Sequence, residues 1–232
     1  MAESFKTLQK QITSCTACPR LRTYCQAIAV EKKRAYIDQR YWGKPVPGFG
    51  DLAGWLWVLG LAPGAHGANR TGRVFTGDRS CDFLFAALHR AKLANQPTSV
   101  SLNDGLQLTG AFISAAGRCA PPGNKPLPVE LAACSVFLDR EWDLLANKRV
   151  ILALGSIAWD AAVLLAGRKD GTITSPRPKF GHGAAIHLGS IWLIGSYHVS
   201  QQNTFTGKLT PAMFDAVLAT AKAKSRPQKS LG

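Results

Sequence analysis

The sequence predicts an α/β fold: a mostly parallel sheet with helices on both faces. Two observations carry this expectation. Four short runs, at 55–61 (WLWVLGL), 111–116 (AFISAA), 150–154 (VILAL) and 191–196 (IWLIGS), are apolar at almost every position, as strands buried on both faces are. Between and after them, residues 79–94, 128–146, 156–166 and 211–224 have helical spacing. Strands alternating with helices in this way join by right-handed crossovers into a parallel sheet.

From the N-terminus, residues 3–12 read as a short amphipathic helix that runs into CTAC at 15–18, and 21–34 as a second helix. The segment 44–50 (KPVPGFG) holds two prolines and two glycines in seven residues, which breaks either regular period and predicts a loop before the first strand. Asp78 stands where the helix 79–94 needs an N-cap. Residues 170–188, rich in glycine, proline and basic side chains, predict a loop or ragged hairpin. The last stretch, 222–232, carries Lys222, Lys224, Arg226 and Lys229 and reads as a basic, solvated, disordered tail behind one domain covering 1–221.

In an open parallel sheet, functional loops gather at the carboxyl ends of the strands. Here these loops are 60–67, 116–124, 155–156 and 197–203, most of them dense in glycine and polar groups. They are expected to converge on one site.

Lysine and arginine outnumber aspartate and glutamate by 28 to 14, a formal charge of +14. Such an excess favours an anionic polymer as partner, because each neutralised phosphate releases condensed counterions. No apolar run approaches the roughly 20 residues of a bilayer span, and the first residues lack a signal-peptide core, so a soluble, cytoplasmic protein is expected. Six cysteines in a reducing compartment point to metal rather than disulfides. Cys15 and Cys18 have the two-residue separation that lets two thiolates share one metal or cluster edge, while Cys119 and Cys134 arrive from elsewhere in the chain. On spacing alone, zinc and an iron-sulfur cluster fit equally. Cys25 and Cys81 lie inside helical patterns and read as packing residues.

The stretch 60–78 (GLAPGAHGANRTGRVFTGD) resembles the first active-site motif of family 5 (type B) uracil-DNA glycosylases. The resemblance continues at 118–126 (RCAPPGNKP) and 197–207 (YHVSQQNTFTG), and the cysteine arrangement is similar to that of the family's 4Fe-4S cluster. It implies a three-layer α/β/α sandwich with a central four-stranded parallel sheet, and a cluster held by Cys15, Cys18, Cys119 and Cys134. It also implies a monomeric, monofunctional enzyme of base-excision repair that flips a uracil out of DNA and hydrolyses its N-glycosidic bond, leaving an abasic site. Double-stranded DNA, and as a second form single-stranded DNA, would be the substrate.

Base flipping costs a few kcal/mol and is cheapest for a mispaired base. Bond breaking then places negative charge on the leaving base and positive charge on the sugar. Phe75 is the candidate for stacking on the base, and His198 for donating to it as the anion develops. Related families carry an acid or amide at Leu61 or Ala62 to activate water. Here both are apolar, so the role passes to Asn124, an amide that orients water without acting as a strong base. Asp78 is the rival for that role, and Lys125, as a Schiff-base former, a weaker one. Ala115 stands where related families read uracil with asparagine, so the pocket is expected to admit other deaminated bases such as hypoxanthine and xanthine.

Ala62, Gly64, Ser200 and Gln202 complete the expected substrate pocket. His66, Asn69, Arg70, Arg73 and Phe205 are the expected DNA contacts, the arginines on phosphates and Phe205 or Gln202 as a wedge in the duplex. Val199 departs from the proline usual after the histidine and is expected to loosen His198. The apolar Leu61 and Ala62 also admit a competing reading, a non-catalytic iron-sulfur protein that binds damaged DNA.

Overall fold

The computed structural model describes residues 4–171 and 175–226, with the side chains of residues 79 and 80 excepted. Chain order is α1 (Phe5–Thr13), α2 (Pro19–Glu31), β1 (Phe49–Gly50), β2 (Leu56–Gly60), α3 (Ala68–Thr71), α4 (Arg79–Arg90), β3 (Ala111–Ala115), α5 (Pro128–Leu144), β4 (Val150–Leu154), α6 (Ser156–Asp170), β5 (Ala185–Leu188), β6 (Ile191–Ser196), α7 (Gln201–Phe205) and α8 (Pro211–Lys224). Single 3-10 turns at Arg34–Tyr36 and Pro122–Asn124 interrupt the loops.

The strands form one sheet in the order β1-β3-β2-β4-β6-β5. The four expected strands are its parallel centre, Leu56 pairing with Ala111 and Val150, and Val150 with Trp192. The sheet is wider than expected, because antiparallel strands extend both edges. One of them, β1, lies inside the segment expected to be a loop, where Phe49 and Gly50 pair with Ile113 and Phe112. The other, β5, turns the ragged 170–188 segment into a hairpin with β6. Residues 172–174 of that segment lie outside the described residues. At the C-terminus α8 continues through Lys224, so the expected tail starts later than residue 222, and 227–232 lie outside the described residues.

Successive side chains on a strand point to opposite faces. On one face Leu56, Val58, Ile113 and Leu152 pack with Leu84, Leu88, Phe214 and Leu218 of α4 and α8. On the other, Trp57, Leu59, Ile151 and Ala153 pack with Leu138, Trp142, Trp159 and Leu165 of α5 and α6. This is the three-layer sandwich the sequence predicts. α1 adds a small cluster of its own, Leu8 and Ile12 against Phe137 of α5. Among the described residues no helix is long and apolar enough to cross a membrane.

The central strands are buried on both faces, so truncation there leaves a cavity that neighbouring side chains cannot close. Leu152→Ala is expected to lower stability by about 2–5 kcal/mol. In urea unfolding the midpoint should fall while the slope stays unchanged.

Candidate active site

The glycine that ends β2 makes room for an aromatic ring. A side chain on Gly60 would collide with the Phe75 ring, at 2.7 Å from its tip, and one on Gly155 would meet the Cβ of His198 at 3.7 Å. Phe75 and His198 face each other with ring centroids 6.1 Å apart and planes inclined by 35°. Phe75 holds a left-handed backbone, φ +50°, which is unfavourable for an aromatic residue and is kept by its surroundings. Burial lowers the pKa of His198 from its ordinary value of 6.5, so its imidazole is neutral at neutral pH.

The loop behind His198 is anchored rather than loosened. Val199 is fully buried in the core, and the Asn203 amide donates to the His198 carbonyl at 2.8 Å. Ser200 caps α7, its hydroxyl accepting from the Asn203 N–H. Gln202 and Phe205 are exposed on that short helix, Phe205 at 69%. Ala115 is buried at the end of β3 without a polar group to offer, while Ala62 and Gly64 are half-buried in the loop after β2.

The loop after β3 runs beside the loop after β2, with the amides of Ala116 and Gly117 donating to the carbonyls of Gly60 and Leu61 at 3.0 and 2.8 Å. It ends in the Pro122–Asn124 turn, where Asn124 adopts φ +57°, a conformation asparagine tolerates. Its side chain is exposed and has no hydrogen-bond partner among the described residues. Asp78 is engaged structurally. One oxygen accepts from the Cys81 N–H at 3.2 Å as the cap of α4, and the other lies against Gly64 and Gly67.

Three residues expected on DNA are instead turned inward, a correction with a plain physical cause. Arg73 is buried, its guanidinium satisfied by Asp104 at 2.7 Å, Ser99 at 2.8 Å and Thr76 at 3.0 Å. Arg70 donates to the carbonyls of His66 and Gly77 and to Gln39 Oε1, and lies over the Tyr36 ring at 3.9 Å. Asn69, 1% exposed, donates to the Cys25 carbonyl. Acceptors inside the protein thus take up these guanidinium groups and the amide. His66 stays half-buried on the same loop, its Nδ1 3.1 Å from the Tyr41 hydroxyl.

Cys15, Cys18, Cys119 and Cys134 line one small pocket together with Arg22 and Arg118. Cys15 and Cys18 come from the link between α1 and α2, Cys119 from the loop after β3, and Cys134 from α5. Desolvation, reinforced by the neighbouring Cys134, Glu130, Cys119 and Cys15, pushes the Cys18 thiol up to about 11. Burial also raises Cys134. Among the described residues no three histidines, cysteines or carboxylates converge closely enough to hold a metal ion. Arg118, which lines the pocket, keeps Nε and Nη1 without partners. Cys25 and Cys81 are buried packing residues.

Sequence reasoning did not find that Gly60 seats the Phe75 ring, although this glycine ends β2. Nor did it find Tyr41, or the ion pair of Arg118 with Glu141.

The sandwich, with its two facing rings at the carboxyl ends of parallel strands, belongs to a defined class. The profile of the family described as "Uracil DNA glycosylase superfamily" matches residues 47–222, and the chain belongs to that superfamily. Within it, the similarity is to relatives named "Type-5 uracil-DNA glycosylase". The protein of that name from Mycobacterium tuberculosis is 53% identical over 223 residues, 95% of this chain and 82% of its own. Those from Mycobacterium leprae and Thermus thermophilus are 50% identical over 95% of this chain and 49% over 91%, covering 96% and 94% of their own lengths.

Removing one partner of the Arg73–Asp104 pair strands the other. Arg73→Ala is expected to cost about 3–5 kcal/mol, read as a lowered midpoint in chemical unfolding. Desolvation raises the Asp104 pKa, but Arg73 and the amides of Leu106, Val100 and Ser101 outweigh it and bring it down to about 2 from 3.8. Its stabilisation is therefore present above pH 3.8 and lost as pH falls through about 2. In Arg73→Ala the loss of stability across that window should be shallower than in the wild type.

Proposed function

We propose that this chain is a monofunctional uracil-DNA glycosylase that hydrolyses the N-glycosidic bond of a flipped-out uracil and leaves an abasic site for base-excision repair. The observation that carries this reading is the facing pair of Phe75 and His198, with the Phe75 ring seated against Gly60. A flat base entering the site stacks on Phe75, which recognises a π-face without requiring a particular hydrogen-bond pattern. His198, neutral because it is desolvated, donates an N–H to the base as negative charge develops there. Its position is held by Val199 in the core and by Asn203 at its carbonyl.

Asn124 supplies the water-holding amide. Its side chain has no hydrogen-bond partner among the described residues, so both ends are available to a water and to the sugar. An oxocarbenium-like sugar needs a placed water more than a strong base. Asp78 is a poorer choice, because it caps α4 and abuts Gly67. The apolar Ala115 gives no group that reads the uracil edge, which supports acceptance of hypoxanthine and xanthine as well. Phe205 and Gln202, exposed on α7, are placed to fill the gap left by the flipped base in double-stranded DNA, with single-stranded DNA as a second substrate. The protein acts as a monomer.

The reading includes a 4Fe-4S cluster, for which Cys15, Cys18, Cys119 and Cys134 would be the ligands: they line one pocket, spaced too widely to hold a single metal ion. Burial disfavours the thiolates of Cys18 and Cys134, so binding them deprotonated would require a cationic centre. The resulting cluster with four thiolates carries net negative charge, for which the pocket offers Arg22, whose Nη1 is 4.0 Å from Cys119 Sγ, and the unpartnered nitrogens of Arg118. When bound, such a cluster would tie the link between α1 and α2 to α5 and the loop after β3.

Duplexes carrying uracil, hypoxanthine or xanthine, incubated with the protein and then treated with alkali, should break at all three bases, and an intact strand on every substrate would refute the enzyme reading. Asn124→Ala should slow single-turnover excision by about 10²–10³ with DNA affinity little changed. An unchanged rate would shift the role to Asp78. The purified protein should be brown, with iron and acid-labile sulfide in equal amounts, and Cys119→Ser should lose that absorbance along with soluble yield. Colourless protein containing stoichiometric zinc would contradict the cluster.

A further inference from the structure

With Arg70 and Arg73 turned inward, the positive charge that meets DNA beside the active site must come from elsewhere. The segment between α2 and β1 supplies it. Residues 31–40 (EKKRAYIDQR) carry four basic side chains, Lys32, Lys33, Arg34 and Arg40, against two acidic ones, Glu31 and Asp38. Lys33, Arg34 and Arg40 are exposed, and none of them joins an ion pair among the described residues. Lys32 is occupied inside the segment, its ammonium donating to the Ile37 carbonyl at 2.8 Å.

Charge alone would describe a solvated turn, but this segment is bolted to the first active-site loop. Arg70 donates to Gln39 and stacks on Tyr36, while its other nitrogens grip the His66 and Gly77 carbonyls. The Lys33 N–H donates to the Tyr41 hydroxyl at 3.2 Å, which in turn meets His66 Nδ1 at 3.1 Å. The Trp42 and Gly43 amides donate to the Arg70 and Asn69 carbonyls, and the Asn69 amide reaches back to the Cys25 carbonyl in α2. Desolvation lowers the His66 pKa, with Lys33 of this segment and Arg70 adding positive charge nearby.

Resting on the glycosylase reading above, we propose that residues 32–40 form a DNA-contact arm. Lys33, Arg34 and Arg40 bind backbone phosphates flanking the flipped nucleotide, and Arg70 is the positioning residue that fixes the arm to the active-site loop. A guanidinium suits that task because its planar fork satisfies several acceptors at once while one face stacks on Tyr36. The same interior bonds that remove Arg70 from the DNA surface thereby hold three other cations on it.

The test uses the full chain and a fluorescein-labelled 30-base-pair duplex with one U·G pair. Binding is measured by anisotropy between about 50 and 200 mM salt, and excision by single turnover at saturating protein. In the variant combining Lys33→Ala, Arg34→Ala and Arg40→Ala, the slope of log affinity against log salt should shrink by about 0.9 per lost phosphate contact, roughly 2–3 in all. Affinity at low salt should fall at least tenfold, and the excision rate at saturation should stay within twofold of the wild type. Gln39→Ala, which loosens the arm without removing a cation, should weaken affinity by a smaller factor at an unchanged saturating rate.

A triple variant with the wild-type salt slope overturns the proposal. So does a variant whose rate collapses at saturation, because the residues would then belong to catalysis. Failure of the wild type to excise uracil would sink the glycosylase reading alone, and a reduced salt slope in the variant would still support the arm.

Discussion

The reactive edge of this molecule depends on one buried ion pair. Arg118 and Glu141 meet at 2.6 Å with both side chains 1% exposed. Taking two charges out of water is costly, and the pair is tolerated only because each compensates the other. What it secures is the loop leaving β3. The Arg118 carbonyl also accepts from the Val46 N–H at 2.7 Å, and the next residue, Cys119, enters the thiol pocket. The loop's far end is held as well. Arg20, two residues after Cys18, forks onto Glu130 at 2.8 Å through both nitrogens, and a third contact reaches the Lys125 carbonyl at 3.4 Å. Asn124 stands between these two clamps, on a turn whose backbone is fixed although its side chain is exposed.

The first active-site motif follows a related logic. Its conspicuous polar residues, Asn69, Arg70, Arg73 and Asp78, serve mainly the protein's own interior. They satisfy carbonyls, cap α4 and fasten neighbouring segments. The groups proposed to meet the base are few by comparison, an aromatic ring seated against Gly60 and an imidazole. In this chain most of the motif's polar side chains thus hold the protein together.

How much of this was legible in the sequence varied with how much of each signal is local. The four central strands stand out because both faces are buried and almost every position is apolar. The edge strands do not, since β1 is only two residues long and β5 alternates toward solvent, with His187 exposed. Helix α8 shows in full because Thr210 caps it and Pro211 opens it. Helix α2 stops at Glu31, short of the expected 34, because Lys32 takes a left-handed φ of +54°. Helix α6 runs to Asp170, past the expected 166, where Arg168 and Lys169 pair with Asp139 and Asp143 of α5. Motif spacing points to candidate site residues, but it says nothing of the direction in which an arginine points. Arg73 and Arg40 look alike in a sequence, and it is the distant Asp104 and Ser99, together with Thr76, that send one of them inward.

Amide hydrogen exchange on the protein as purified, and on the same protein after treatment with an iron chelator, tests most directly whether the thiol pocket, with the proposed cluster in it, holds the loop that carries Asn124. Residues 118–126 should lose protection first and by at least tenfold, together with the start of α2, while β2 and β4 keep theirs. Equal protection of residues 118–126 in both forms would contradict it.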